Sequence, residues 1–259
     1  MLRLTSYLAP SIPAGFYETI AGALEEILGL QVELTFEERI SGPLAGDTNP
    51  FTEGRADLGF VCSPTYRYFA DQLLLLPSPV PVDPRANGKP VYFSDIVVAP
   101  DSGLGSISDI RGCRWTYNDA NSQSGWFSII DYLAPELPGE FFAGLVHSGS
   151  HLNSLAFILD GRADAAGVDS NALKYFMHSR PDVRLKVIAS LGPFPIQPVV
   201  ARSGMDSRLC TSIREILLNL HRTHATEIRQ YGFERFMDTV QGNYFNDHGI
   251  HKETALRRT

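Results

Sequence analysis

Two short stretches of the sequence carry residue types that can bind an anion. The first, Asn121–Gly125, precedes a helical pattern from Trp126 to Leu133, and the second, Ser148–His151, precedes another from Leu152 to Leu159. Serine or asparagine before a helix caps its first turn, while the first N–H groups and the helix dipole make that end partly positive. Each stretch therefore predicts a helix start at which a small oxyanion can bind.

Side chains in both stretches can supply further hydrogen bonds to such a ligand. The candidates are Ser122, Gln123, Ser124, Ser150 and His151. An anion bound at the second stretch would raise the pKa of His151 and favour the charged imidazole. The same residues also fit two ordinary capped helices with a histidine on the surface, and the pattern alone leaves both interpretations open.

Asp169 is a further candidate, because it directly follows the apolar run Asp164–Val168. The carboxyl ends of parallel strands lie at one edge of a sheet, so we expect Asp169 beside the two serine stretches. Its carboxylate can accept a hydrogen bond from a protonated ligand oxygen or hold a ligand amino group. It can equally cap a helix that begins near Asn171.

A repeated phrase indicates how these elements are arranged. Thr52–Val61, TEGRADLGFV, returns as Leu159–Val168, LDGRADAAGV. In each copy a glycine ends a helix-like stretch, and an aspartate precedes an apolar run typical of a buried strand in a parallel sheet. We expect Asp57 and Asp164 to fix the turn before each strand. The repetition predicts two similar α/β lobes, and small ligands bind in the clefts between such lobes.

A proline-rich stretch, Pro77–Pro90, leads into the strand Val91–Ala99, which is the predicted first crossing between the lobes. A second proline-rich stretch, Gly192–Pro198, is the predicted return crossing. The first lobe is predicted to comprise residues 1–94 with 199–259, and the second residues 95–198. An amphipathic pattern from Leu209 to Leu220 predicts a long helix that packs back on the first lobe.

The first lobe also offers candidate ligand-binding residues. Ser63, Thr65 and Tyr66 follow the strand that ends at Val61 and begin a helix-like run. Tyr92, at the first crossing, can offer its phenol to a ligand or pack the hinge. Ser11 occupies the corresponding loop after the first strand.

Composition excludes several classes of function. The chain has 259 residues, of which 44% are hydrophobic and 20% charged, and its net charge is −7. A net negative charge argues against general binding to nucleic acid or to an anionic membrane, both of which need a basic face. No apolar run approaches the roughly 18 residues of a transmembrane helix.

No motif predicts a cofactor or a metal. Cys62, Cys113 and Cys210 lack metal-type spacing and are expected to be free thiols. The histidine pairs His221/His224 and His248/His251 are expected on solvated faces. Nucleotide-binding glycine motifs are absent from the sequence.

Three pieces of sequence together carry a family resemblance. Tyr117–Gly125, Gly149–Leu155 and Gly161–Ser170, in that order, resemble the substrate-binding proteins of phosphonate- and phosphate-type ABC importers. The resemblance implies the type II periplasmic binding protein fold, with two α/β lobes, each a mainly parallel sheet flanked by helices, joined by two hinge crossings. It further implies a periplasmic monomer that closes on a small oxyanion (phosphonate, phosphate or phosphite) and delivers it to a membrane permease, without catalysis.

Other functions stay open at this point. Met1–Leu8 alternates like a first strand, and no signal-peptide pattern accompanies it, so a cytoplasmic location is an alternative. A leaderless cytoplasmic enzyme of the same fold, like the menaquinone-pathway lyases that act on organic acids, or a cytosolic ligand sensor would fit. Ser122 or Ser124 with His151 and Asp169 would also make a hydrolase triad, although the sequence has no Gly-x-Ser-x-Gly elbow.

Overall fold

The computed structural model describes residues 1–38 and 41–245, and these form two α/β units. One unit comprises Met1–Tyr92 with the described residues from Phe194 onward, and the other comprises Phe93–Pro193. The chain thus passes between the units once at Tyr92–Phe93 and again at Pro193–Phe194. His248 and His251, and the last part of the predicted first lobe, lie outside the described residues.

Strands and helices alternate along most of the chain. The strands are β1 (Leu2–Ser6), β2 (Val32–Phe36), β3 (Leu58–Phe60), β4 (Leu73–Leu76), β5 (Ser78–Pro81), β6 (Val91–Val98), β7 (Arg114–Tyr117), β8 (Gly144–His147), β9 (Ala165–Asp169), β10 (Lys186–Pro195), β11 (Val199–Arg202) and β12 (Phe233–Met237). The helices are α1 (Ala14–Leu28), α2 (Ser63–Phe69), α3 (Ser128–Leu133), α4 (Pro138–Phe141), α5 (His151–Leu159), α6 (Ser170–Ser179), α7 (Ser207–Thr223), α8 (Ala225–Arg229) and α9 (Gly242–Phe245).

The main sheets of the two units have matching topology. In the first unit the strand order is β2-β1-β3-β11-β4, with β1 parallel to β2 and β3, and β11 antiparallel to β3. In the second the order is β10-β6-β9-β7-β8, with β7 parallel to β8 and β9, and β6 antiparallel to β9. The run β8-β7-β9-β6 therefore repeats β2-β1-β3-β11, which accounts for the repeated phrase in the sequence.

The aspartate of each repeat joins its strand to the neighbouring parallel strand. Asp57 accepts hydrogen bonds from the backbone N–H, Nε and Nη2 of Arg3 in β1, at 2.9, 3.0 and 3.0 Å. Asp164 binds the same three groups of Arg114 in β7, at 2.7, 3.1 and 2.7 Å. Each repeat thus sets the register of two parallel strands, and the glycines before them, Gly54 and Gly161, have φ of 70° and 68°.

Contacts between residues far apart in the chain form the core of each unit. Trp115 of β7 stacks on Phe142 with ring centroids 5.0 Å apart in the second unit. In the first unit α7, which contains the predicted amphipathic helix, buries Ile213, Leu217 and Leu220. The proline-rich stretch after Pro77 is partly a strand, because β5 pairs with β12 in a separate two-stranded sheet. None of the helices within the described ranges has the length and apolar character needed to cross a bilayer.

Asp57 and Asp164 make a matched pair for a stability test. Asp57 is 5% exposed and also accepts from Nε of Arg202 at 2.9 Å, whereas the side chain of Asp164 is 34% exposed. Burial raises the pKa of Asp57, but hydrogen bonds from Arg3 and Arg202 outweigh it and hold the pKa below its ordinary value. Asp57→Asn should therefore lower the free energy of unfolding by about 2 to 3 kcal/mol at pH 7, and Asp164→Asn by clearly less.

Urea unfolding followed by circular dichroism measures both variants. The stabilisation by Asp57 is present above pH 4 and is lost as the pH falls toward the lowered pKa, so the two variants should converge in acid. Equal losses for the two variants at pH 7 would contradict the role given to burial.

Candidate functional site

Three helix starts lie at one edge of the second unit's sheet. Parallel pairing of β7 with β8 and β9 places the carboxyl ends of all three strands at that edge. After β7 the chain enters a π-helical turn, Gln123–Phe127, which continues directly into α3. After β8 it enters α5, and after β9 it enters α6. This edge carries all six residues predicted for the second lobe.

Ser122 caps the first of these helix starts. Its hydroxyl oxygen accepts from the N–H of Gly125 at 3.1 Å, and its carbonyl accepts from Trp126 and Phe127 at 3.1 and 3.0 Å. The predicted helix at Trp126 begins earlier, because the wide turn includes Gln123 and Ser124, both buried. The turn places the predicted residues Ser122, Gln123 and Ser124 together.

Ser150 caps the second helix start. Its hydroxyl oxygen accepts from the N–H of Asn153 at 3.0 Å. Ser148 braces the loop, with Oγ 3.0 Å from the carbonyl of Tyr117 and 2.7 Å from Oγ of Ser154. Gly149, with φ of 83°, supplies the left-handed residue that the turn into the helix requires.

A hydrogen bond between Ser124 and His151 joins these two helix starts. Oγ of Ser124 lies 3.1 Å from Nε2 of His151, and the two residues are 1% and 5% exposed. The alternative of a surface histidine is therefore wrong. Burial lowers the pKa of His151 to about 3, so the imidazole is neutral at pH 7. In this form either the hydroxyl or the imidazole can be the donor.

Asp169 caps the third helix start. Its Oδ1 accepts from the N–H groups of Asn171 and Ala172 at 2.7 and 3.3 Å, and the residue is 2% exposed. Of the tasks predicted for this carboxylate, helix capping is the one that the contacts show. A direct role toward a ligand stays a prediction.

The first-unit candidates Ser63, Thr65 and Tyr66 lie in the first turns of α2 and are buried. Ser63 Oγ donates to the carbonyl of Pro195 at 3.2 Å, and Thr65 Oγ1 donates to that of Ser41 at 2.9 Å. The ring of Tyr66 packs edge-on against Tyr244 with centroids 5.1 Å apart, and burial raises its pKa. These contacts give the three side chains structural roles, and a ligand role stays a prediction.

The other two first-unit candidates are also buried. Tyr92 is 1% exposed, and its ring lies 6.2 Å from that of Phe194, so the residues at the two crossings pack on each other. This contact shows that the ring of Tyr92 packs within the first unit, and roles in a hinge or toward a ligand stay predictions. Ser11 is buried in the loop after β1, and its predicted role is likewise untested by the contacts.

Sequence reasoning missed several polar residues at the second-unit edge. The hydroxyls of Ser94 and Ser128 lie within hydrogen-bond distance of the carbonyl of Ser124. Asn118 and Asn171 are buried just beyond β7 and β9, and within the described residues Oδ1 of Asn118 and Nδ2 of Asn171 have no hydrogen-bond partner. Asn118 directly follows β7, and Asn171 is the second residue of α6, two positions after β9. This closeness to the strand ends is the signal that could have drawn attention to the two asparagines.

The described part of the chain brings together no group of three or more His, Cys, Asp or Glu side chains suited to a metal ion. The carboxylate of Asp169 caps α6 at this edge, whereas the groups present where Ser124 meets His151 are hydroxyls, a neutral imidazole and helix-start N–H groups. Such groups hold a negative ligand by hydrogen bonds.

Neutral burial of His151 predicts a dependence of stability on pH. Below pH 6.5 the unfolded chain protonates this histidine and the folded chain does not, so stability falls by about 1.4 kcal/mol per pH unit down toward pH 3. Between pH 7 and pH 5 the wild type should lose about 2 kcal/mol more unfolding free energy than His151→Gln, measured by urea unfolding. His147→Gln, at an exposed position of β8, is the control and should follow the wild type. Parallel pH profiles for wild type and His151→Gln would show that His151 is not buried in its neutral form.

Comparison with known proteins agrees with this architecture. Residues 7–244 match the family described as "ABC transporter, phosphonate, periplasmic substrate-binding protein". The phosphonates-binding periplasmic protein of Escherichia coli K12 is 26% identical over 146 residues, a match that spans 53% of this chain and only 43% of that protein.

Two solved structures show the fold. The binding protein component of an ABC phosphonate transporter from Pseudomonas aeruginosa has a TM-score of 0.78 at 16% identity, with 95% of this chain and 83% of that chain covered. PhnD1 from Prochlorococcus marinus, in complex with methylphosphonate, has a TM-score of 0.76 at 15% identity, with 95% and 94% covered. The predicted α/β fold, similar to that of two-lobed periplasmic binding proteins, is confirmed. Because the family match extends over most of its length, the chain belongs to the family of periplasmic substrate-binding proteins of phosphonate ABC transporters.

Proposed function

We propose that this chain captures a small phosphonate, or a related phosphorus oxyanion, at the π-turn and the start of α5 in its second unit. It would act as the substrate-binding component of an ABC importer, with the membrane permease as its partner and the periplasm as its location. The observation that carries the proposal is the 3.1 Å contact of Ser124 with His151, because it brings two helix starts to one place.

The caps distinguish these two helix starts from the third. Ser122 and Ser150 are neutral caps, so the partial positive charge of their helix starts is not cancelled. Asp169 places a carboxylate on the N–H groups of α6, and this charge already compensates that end. An anionic ligand is therefore expected at the serine-capped pair.

Affinity would come from desolvated hydrogen bonds to a charged group, each contributing about 1.5 to 3 kcal/mol. Oγ of Ser124 and Nε2 of His151 bond each other in this structure and can turn to ligand oxygens. First-turn N–H groups add donors, since they have no partner inside their own helix. A neutral imidazole can donate one such bond without the cost of a buried charge.

An enzyme is the second candidate, because a serine hydroxyl within hydrogen-bond distance of an imidazole is also how a nucleophile and its base are placed. A general base works best with a pKa near the operating pH, whereas burial lowers the pKa of His151 to about 3. The geometry permits this pairing, and the low pKa makes binding the better supported function.

Methylphosphonate provides the test, through thermal unfolding and isothermal titration calorimetry. The wild type should gain thermal stability with the ligand, and Ser124→Ala or His151→Gln should weaken binding by about 10- to 100-fold because a charge-assisted hydrogen bond is lost. Ser106→Ala is the control, since Ser106 caps a separate turn of the same unit in a capping box with Asp109. This variant should bind as the wild type does.

Phosphorus NMR of the same mixtures separates binding from catalysis. An unchanged ligand spectrum over hours supports the binding function, whereas product signals would support the enzyme. If methylphosphonate, aminoethylphosphonate, phosphite and phosphate all leave the melting temperature unchanged at millimolar concentration, the proposal is wrong.

A further inference from the structure

Two serine hydroxyls lie within hydrogen-bond distance of the carbonyl of Ser124, next to the candidate site. Ser94 of β6 donates its hydroxyl to this carbonyl at 2.7 Å. Oγ of Ser128 lies 2.9 Å from the same carbonyl and 3.0 Å from Oγ of Ser94. All three serines are at most 2% exposed, so water does not compete for these bonds.

The π-turn explains why side chains take this position. In an α-helix the N–H of Ser128 would donate to the carbonyl of Ser124, four residues earlier. In this chain it donates to the carbonyl of Gln123 instead. Hydroxyls replace the backbone donor, and one of them comes from a distant strand. Such π-turns cost hydrogen-bond geometry and are frequent at functional sites.

Gly167 of β9 makes room for this arrangement. A Cβ at Gly167 would lie 2.5 Å from the carbonyl oxygen of Ser124 and 3.1 Å from Oγ of Ser94. Backbone oxygen cannot retreat as the end of a flexible side chain can, so any other residue would displace the turn. The first repeat has Phe60 at the corresponding position, which shows that glycine is not a requirement of the repeated strand itself.

Strand β6 also reaches the third helix start. The N–H of Phe93, the first residue after the crossing from the other unit, donates to Oγ of Ser170 at 3.1 Å. Ser94, the next residue, is the register partner of Asp169. Two consecutive residues of the crossing strand are thus bonded to the starts of two different helices.

We propose that Ser94 and Gly167 are positioning residues of the anion site. Acting through the carbonyl of Ser124, they fix the π-turn against β6 and β9, so that the Ser124 hydroxyl meets His151 and the first N–H groups keep their direction. The ligand-binding part of this inference rests on the proposed function, whereas the placement of Ser124 against His151 does not depend on any ligand.

Ser94→Ala tests the inference by two measurements. Calorimetry should show binding of methylphosphonate weakened by roughly 5- to 20-fold. NMR should show a changed imidazole signal of His151, assigned by its absence in His151→Gln, in the protein without ligand. Ser78→Ala is the matched control, because Ser78 is a fully buried serine of the first unit whose hydroxyl lies 3.5 Å from that of Tyr244. It should leave both the affinity and the His151 signal unchanged.

Gly167→Ala provides an independent test with Gly139→Ala as its control. A Cβ at Gly139 meets no heavy atom within 4 Å. Gly167→Ala should weaken binding at least as much as Ser94→Ala and shift the His151 signal, whereas Gly139→Ala should do neither. If Gly167→Ala or Ser94→Ala fails to fold, Ser128→Ala takes its place, because it removes the second hydroxyl from the carbonyl of Ser124. It should weaken binding and shift the His151 signal in the same direction, by a smaller amount.

The outcomes separate the two proposals. If Ser94→Ala and Gly167→Ala fold and keep the wild-type affinity and His151 signal, the positioning role is wrong. If the wild type binds no phosphonate but both variants shift the His151 signal, the proposed function fails and the positioning of Ser124 stands.

Discussion

Parallel pairing of β7 with β8 and β9 is the constraint on which the candidate site depends. A parallel strand must be followed by a crossover, and in this unit each crossover is a helix that begins at the same edge of the sheet. The hydrogen bonds between Arg114 and Asp164 fix the register of β7 and β9 at the opposite end of these strands. The π-turn follows β7 and α5 follows β8, so the parallel register of these two strands, with Tyr117 opposite His147, brings Ser124 to His151.

Local charge, and not net charge, decides which ligand such an edge can accept. The chain as a whole carries a net charge of −7, yet its exposed carboxylates are screened by salt over about 10 Å. Inside the buried edge the carboxylate of Asp169 is bonded to the first N–H groups of α6, and the two serine-capped helix starts keep partial positive charges that are screened far less. Because burial keeps His151 neutral, the edge avoids the cost of a buried cation.

Local patterns in the sequence predicted much of this architecture. The repeated Gly-Arg-Ala-Asp phrase indicated two similar α/β units, and the serine stretches indicated two of the three helix starts, because capping and strand patterns act over a few residues. The π-turn could not be predicted, since it depends on Ser94, which joins it from a separate strand. The burial of His151 was equally hidden, because tertiary packing alone distinguishes it from a histidine at an exposed helix start. Likewise, the packing of Tyr66 on Tyr244 joins residues that are far apart in the chain.

One position in the repeat shows how two units of the same topology come to differ. In the first unit, Phe60 of β3 meets the rings of Phe16 and Tyr17 at the start of α1, with centroids 6.1 and 4.9 Å apart. In the second unit the corresponding residue is Gly167, and the backbone of the π-turn replaces those rings against the strand. The large side chain of Phe60 holds the start of α1 away from β3 through an apolar contact, which stabilises the unit but places no polar turn at the strand. Gly167 has no side chain to make that apolar contact, and its backbone lies close to the carbonyl of Ser124. The buried carbonyl of Ser124 then needs hydrogen-bond donors, and Ser94 and Ser128 supply them. The second unit therefore has a polar helix start at the position where the first unit has an apolar contact.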